Sequence, residues 1–238
     1  MKIINSFSPN YSKKSRKISK INFVIIHYTG MQSTRVSLNK LCNPKNKVSA
    51  HYVIDRKGGI FNLVATNKIA WHAGKSRWKN KKNLNSESIG IELQNRGHGS
   101  NYENYGTKQI KSLIYICKKL KGKYKINQGN FLGHSDIAPL RKIDPGEKFP
   151  WEKLSKFGLG TWYKNEDLRR FKIPKKNLEK IFFQNLEKIG YRYFFGNSSK
   201  KVKKLLIKAF KRRYNQKIIN SQIDEKTFKI SCFLAKKG

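Results

Sequence analysis

Residues 21–28, INFVIIHY, are apolar on both faces of an extended chain and carry a histidine, His27, next to their end. A strand with one wet face alternates apolar and polar side chains, and an unbroken apolar run this short marks a strand covered on both sides. Such a strand needs a layer above it and a layer below. Residues 51–64, HYVIDRKGGIFNLV, read as a hairpin around the turn at 55–59. In the strand at 88–95, Ile89, Ile91 and Leu93 point one way while Gly90, Glu92 and Gln94 point the other. The spacing of Ile110, Leu113, Ile114, Cys117 and Leu120 predicts a helix over 107–120. Shorter helices are expected at 34–41, ended by Asn43-Pro44, and at 151–157. A short strand at 130–132 precedes the irregular loop GHSDIAPLRKIDPGEKFPW. Strands interleaved with helices make the fold class α/β, a layered sheet with helices on its faces.

Beyond residue 160 the pattern changes. All five histidines lie before it. Residues 164–176 are charged, include Pro174 and read as a linker. Three amphipathic helices follow, at 178–189 closed by Gly190, at 198–214, and from Asp224 onward. Residues 177–238 are therefore expected to form a small helical domain, behind a first domain at 21–163 and a basic N-terminal segment at 1–20. The 238 residues carry 53 Lys+Arg against 14 Asp+Glu, a formal charge of +39. That field favours polyanions: nucleic acid, anionic lipid or an acidic wall polymer. The abundance of Lys, Asn and Ile also fits drift in an A/T-rich coding sequence. Excess charge divides as +23 over residues 1–163 and +16 over residues 164–238, so it is no terminal nucleic-acid arm. Cys42, Cys117 and Cys232 form no CxxC pair and suggest neither a disulfide framework nor a cysteine zinc site. No apolar run reaches the roughly 18–20 residues of a membrane span. The first 20 residues lack the apolar core of a secretory signal, so a cytoplasmic location is expected from them.

The groups able to do chemistry are His27, His51, His72, His98 and His134, with Glu92, Asp136 and Asp144. A single histidine is more often a core or surface residue than a ligand. The set says more: His27 ends a buried strand, His134 follows another, and Asp144 lies ten residues further on. Two imidazoles and a carboxylate, with a fourth position open, are a catalytic zinc set. HExxH, GxSxG, Walker and GxGxxG patterns are all missing.

The strings VIIHYTG (24–30), SAHYVIDRKGGI (49–60), AWHAGKSRW (70–78), LNSESIGIELQNRG (84–97), GHSDIAPLRKIDPG (133–146) and FPW (149–151) occur in that order. Together they resemble the zinc-dependent N-acetylmuramoyl-L-alanine amidase family, which includes phage lysozyme-like amidases and peptidoglycan recognition proteins. The likeness is nearest to its Gram-negative branch of anhydro-muropeptide and lipoprotein amidases, and FPWEKLSKFGLGTWY is similar to the lipoprotein type. The resemblance implies a central mixed sheet flanked by helices and one zinc ion per chain on His27, His134 and Asp144. It implies a catalytic Glu92 and Lys142, and hydrolysis of the bond between N-acetylmuramic acid, or its anhydro form, and L-alanine. Trp71, His72, Asn85 and Arg141 fall at substrate-cleft positions, and His72 suits equally a packing place under the metal. His51 reads as structural, and His98 and Asp136 carry no assigned role. Ala50 stands where phage and recognition relatives often place a catalytic tyrosine, which leaves that role to Glu92. LEKIGY (186–191), VKKLLIKAFKRRYN (202–215) and IDEKT (223–227) resemble a three-helix peptidoglycan-binding domain, without its usual glycine before the Ile-Asp turn. The implied partner is peptidoglycan or a muropeptide, with no specific nucleic acid, and the chain is expected to act as a monomer. The exported members of the branch make the periplasm or outer membrane the alternative compartment. A recognition protein that binds wall without cutting is the competing function; a nucleic-acid binder rests on charge alone.

Overall fold

The computed structural model describes residues 2–193 and 198–237. Ten strands and eight α-helices are found among them, the strands being β1 (Ile3–Asn5), β2 (Tyr11–Ser12), β3 (Phe23–Tyr28), β4 (Tyr52–Ile54), β5 (Ile60–Asn62), β6 (Ile69–Ala70), β7 (Arg77–Trp78), β8 (Lys81–Lys82), β9 (Ser88–Leu93) and β10 (Phe131–Gly133). The helices are α1 (Thr34–Cys42), α2 (Thr107–Tyr124), α3 (His134–Ile137), α4 (Trp151–Ser155), α5 (Asn165–Leu168), α6 (Leu178–Ile189), α7 (Lys200–Tyr214) and α8 (Glu225–Ala235). Six strands form a mixed sheet in the order β1-β5-β4-β9-β3-β10. The β4–β5 hairpin is antiparallel, whereas β9 runs parallel to both β3 and β4, and β10 parallel to β3. No helix among the described residues is long and apolar enough to cross a membrane.

Alternation along the central strands sorts their side chains into two cores. Val24, Ile26, Ile89, Ile91, Leu93 and Phe131 pack against Ile110, Leu113, Ile114, Cys117 and Leu120 of α2. On the opposite face Phe23, Ile25 and Leu132 join Phe182 and Leu186 of α6 and Leu206 and Phe210 of α7 in one continuous cluster. The C-terminal helices thus form the second layer that β3 requires. Residues 164–176 contribute too, since Leu168 of α5 is buried in the same cluster. The hairpin turn approaches α2 at Gly58 (φ +90°), where a Cβ would lie 2.9 Å from the Lys108 carbonyl oxygen.

Helix ends follow local chemistry. The Ser33 hydroxyl accepts from Val36 N–H at the start of α1, and Asp224 accepts from Thr227 N–H at the start of α8. Gly190 (φ +139°) closes α6, and a Cβ there would strike the Trp78 ring at 2.6 Å. The helix expected at 107–120 runs one turn further, because Tyr124 continues its packed face. The basic N-terminal segment is woven into the domain: β1 adds an edge strand beside β5, and Asn10 and Arg16 are buried. Arg16 donates to the carbonyls of Thr66, Asn85, Ser86 and Ser88, so its charge is dispersed over peptide dipoles.

Candidate metal centre and active site

Parallel neighbours bring their carboxyl ends to one edge of a sheet, where open α/β folds place their sites. His27 pairs in register with Glu92, and Glu92 in turn with Val53, so all three lie in one row across β3, β9 and β4. Gly133 of β10 pairs with Ile26 and delivers His134, the first residue of α3, beside His27. The loop after α3 then returns Asp144, and Ser135 N–H bonds the Asp144 carbonyl at 2.8 Å. His27 Nδ1 lies 3.0 Å from His134 Nδ1 and 3.0 Å from Asp144 Oδ2, and the third edge is 3.1 Å. Tetrahedral zinc with bonds near 2.0–2.2 Å holds its ligand atoms about 3.3 Å apart.

The hydrogen bonds behind the trio fix its tautomers in a direction that suits a metal. His27 Nε2 faces His72 Nδ1 at 3.1 Å, His72 Nε2 faces the Ser88 hydroxyl at 3.3 Å, and that hydroxyl donates to the Leu84 carbonyl. His134 Nε2 faces the Ala73 carbonyl at 3.3 Å. Placing each ring proton on Nε2 satisfies His72, Ser88 and the Ala73 carbonyl and leaves both Nδ1 lone pairs aimed at one point with Asp144; Arg141 Nη2, 3.3 Å from His134 Nε2, then donates to the Ala73 carbonyl instead. Burial pushes His27 down to about 4, with His134 adding to the effect, which keeps its imidazole neutral. His72 is held well below its usual range, chiefly by burial. Burial pushes the Asp144 carboxyl up, but His134 and His27 outweigh it and hold the group well below the usual carboxylate range. A zinc ion fits this donor set.

The trio lines an open cavity of about 400 Å³ together with Tyr28, Trp71, His72, Glu92, Arg141 and Lys142. Glu92 Oε2 is buried without a hydrogen-bond partner. Burial and then the Asp144 charge push its carboxyl up to about 8, opposed by Lys142. An orphaned oxygen of this kind beside a metal trio is set to receive a group that the protein does not supply.

Of the cleft candidates, Trp71 lines the cavity and donates its Nε1–H to Ser12 Oγ at 3.1 Å. His72 packs under His27, and Gly90 makes the space for it, since a Cβ there would lie 2.4 Å from the imidazole. Asn85 stands outside the cavity wall; its Oδ1 accepts from the N–H groups of His72 and Ala73 at 3.1 and 2.7 Å. Arg141 lines the cavity while its guanidinium clamps the Ala73 and Lys75 carbonyls. His51 is buried behind the site: its Nδ1 accepts from Gly90 N–H at 3.0 Å and its Nε2 faces the Lys68 carbonyl. His98 bridges the Tyr28 hydroxyl and Glu147 at the cavity rim. Tyr28 was not foreseen as a lining residue, because strict alternation sets it on the face opposite His27; it turns into the cavity where β3 ends.

The sequence profile of the N-acetylmuramoyl-L-alanine amidase family matches residues 17–147. The chain is 30% identical over 233 residues to the N-acetylmuramoyl-L-alanine amidase AmiD of Escherichia coli, covering 92% of this chain and 83% of that protein. It is 33% identical over 164 residues to the 1,6-anhydro-N-acetylmuramyl-L-alanine amidase AmpD of Haemophilus influenzae, covering 61% of this chain and 86% of that one. The solved E. coli AmiD, complexed with anhydro-N-acetylmuramic acid-L-Ala-D-γ-Glu-L-Lys, superposes with a TM-score of 0.83 at 29% identity over 96% of this chain and 93% of the other. Pseudomonas aeruginosa AmpDh3, complexed with an anhydromuramic pentapeptide, gives 0.83 at 29% identity over 96% of each chain. With a family profile over more than half its length and a relative 30% identical over 92% of it, the chain belongs to the N-acetylmuramoyl-L-alanine amidase family.

Proposed function

We propose that the protein hydrolyses the amide between the lactyl group of N-acetylmuramic acid, or its anhydro form, and L-alanine, using one zinc ion held by His27, His134 and Asp144. The observation that carries this is the convergence of three ligand atoms beside the unpartnered Glu92 oxygen in one cavity. Zinc in such a site supplies a Lewis acid that polarises an amide carbonyl and acidifies water. Glu92, with its pKa raised into the neutral range, is suited to take a proton from the attacking water and pass it to the departing alanine amine. Lys142 lines the same wall and brings a cation towards the oxygen on which negative charge develops. Trp71 offers an indole face for the sugar or peptide, and Arg141 stiffens the wall that carries it. His72 and Asn85 act from behind, the first by orienting His27 and the second by fixing the backbone of His72 and Ala73.

Solved relatives bound to anhydro-muramyl peptides support the same substrate class here. The test is mass spectrometry of purified, zinc-loaded protein incubated with anhydro-muropeptide and with intact peptidoglycan. Free stem peptide beginning at L-alanine is expected. Binding to wall without release of any peptide would instead make the chain a recognition module. Relative rates on the two substrates would assign the compartment, since intact wall lies outside the cytoplasm.

A further inference from the structure

Two of the three candidate ligand atoms lie beyond the sheet, His134 at the start of the short helix α3 and Asp144 in the loop that follows it. His27 is held by hydrogen-bonded neighbours on both sides of β3, but His134 and Asp144 lie in the segment 133–149. That segment is gripped by the C-terminal end of α7 and by the residues after α6. Arg213, 1% exposed, donates Nη1–H to Asp136 Oδ2 and Nη2–H to the Phe131 carbonyl at 3.0 Å, with its guanidinium 4.0 Å over the Trp151 ring. Tyr191, wholly buried, donates its hydroxyl to Asp136 Oδ1 at 2.8 Å. Asp136 Oδ2 also accepts from Gly133 N–H at 2.7 Å, which caps the turn that begins with His134. Tyr193 donates to the Ile137 carbonyl, and Gln216 donates to the Phe149 carbonyl at 2.7 Å.

We infer that Arg213 and Tyr191 are positioning residues for the metal centre, acting through Asp136 on His134, and that the C-terminal helices serve the reaction as a buttress of the ligand loop. The inference rests on the proposed role of His134 as a zinc ligand. A buried carboxylate with both oxygens engaged is rigid, and its partners belong to the module that sequence likeness alone would assign to the wall. Tyr191 ends the LEKIGY string and Arg213 lies within FKRRYN. These two residues of that likeness are thus turned inward and are not offered to a glycan. A ligand set must be held within about 0.5 Å of its productive geometry, and loss of an outer partner typically costs 10–100-fold in metal affinity.

The experiment measures zinc affinity, by competition with a fluorescent chelator well below the melting temperature, in the full chain and in Arg213→Met, Arg213→Lys and Tyr191→Phe. Leu113→Ala on α2 serves as a variant that loses stability away from the loop. Arg213→Met is expected to weaken zinc at least tenfold and to lower kcat with little change in KM. Arg213→Lys, which cannot reach both Asp136 and the Phe131 carbonyl, should recover part of that loss. Tyr191→Phe removes one hydrogen bond with little change of shape, so it decides the matter if Arg213→Met does not fold; a three- to tenfold loss is expected. Parental zinc affinity in folded Tyr191→Phe and Arg213→Met, or an equal loss in Leu113→Ala, would overturn the buttress while leaving the ligand assignment intact. Failure of the parent protein to bind zinc would overturn both.

Discussion

On one face of the sheet α2 lays Ile110, Leu113, Cys117 and Leu120 against Val24, Ile26, Ile89 and Ile91, and the buried polar side chains there, Gln109 and Ser112, donate to the backbone carbonyls of Ile54, Gln94 and Gly58. On the other face α6 and α7 contribute Phe182, Leu186, Leu206 and Phe210, but next to them lies the buried Arg213–Asp136 pair, with both side chains 1% exposed. The first face excludes water and ties α2 to the sheet. The second carries His27 and Glu92, beside the candidate ligands His134 and Asp144, and its cover has to orient groups as well as hide them. Buried ion pairs seldom raise stability above that of a well-packed apolar substitute, so their use where a loop must be aimed is consistent with a demand for geometry. Stability and site geometry are therefore separable on the first face and coupled on the second.

The largest expected effect is at Glu92, where the two faces' demands conflict. Glu92→Gln should cut turnover by about 10²–10⁴-fold, the usual contribution of a general acid–base group, while zinc stoichiometry stays at the parental value. Its effect on stability should have the opposite sign. The carboxyl titrates at about 8 when folded against an ordinary 4.5. Between those values the unfolded chain has ionised while the folded chain still holds the proton, so rising pH progressively penalises folding. The penalty is absent below about pH 4.5 and complete above about pH 8. Thermal melts of metal-free Glu92→Gln should match the parent near pH 4.5 and lie several degrees higher at pH 8. Equal melting temperatures across that range would mean that Glu92 is hydrated and that the site face is looser than described.

Next in size is Gly90→Ala. The added Cβ would meet the His72 ring at 2.4 Å, and the imidazole is boxed in by His27, His51 and Ser88. His72 has to move and the 3.1 Å contact to His27 is lost. Zinc affinity should fall about 10–100-fold, read by chelator competition, with a parallel drop in activity at limiting zinc. An unchanged affinity would show that His72 is only a filler.

How much of this could be seen in the chain itself also divides by face. The α2 face was legible, because a helix with five apolar residues at helical spacing and strands with period-two alternation advertise their own burial. So was α6, with an apolar stripe and Gly190 just beyond its last turn. The group of His27, His134 and Asp144 stood out as a candidate metal site once the short motifs were set in order. The coupling on the other face was not legible. Asp136 and Arg213 are 77 residues apart, and nothing near either one distinguishes it from a solvated charge in a chain with 53 basic residues. Arg16 is the same case: it lies in a run that reads as a basic tail, and only the carbonyls of residues 66 to 88 show it to be internal. Local periodicity reports what a residue hides behind, whereas a polar partner far along the chain leaves no local trace.

A matched pair of core deletions sharpens the contrast. Leu113→Ala and Leu206→Ala each remove a fully buried side chain and should each cost about 2–5 kcal/mol of stability, measured by denaturant unfolding. Below its transition, Leu113→Ala should keep parental specific activity, since the strands it covers are held by their own ladders. Leu206→Ala loosens α7, the helix that carries Arg213, and should lose about two- to fivefold in specific activity at the same residual stability. Equal activity in the two variants would mean that the second face, like the first, serves stability and not the geometry of the site.

The smallest effect belongs to a place that touches neither face. The Ser33 hydroxyl accepts from Val36 N–H at 3.2 Å and caps α1 at the surface. Ser33→Ala should cost about 1 kcal/mol of stability, the usual worth of an N-cap. Because α1 contributes Lys40 and Leu41 to the cavity rim but no candidate ligand, zinc affinity should not change. KM on a muropeptide is the informative readout. If it rises with kcat constant, α1 is part of the wall that receives substrate, and the cavity's outer rim depends on the capped end of that helix. If neither constant moves, the rim is held by the Leu41–Val53–Leu63 cluster alone, and the cap matters to stability only.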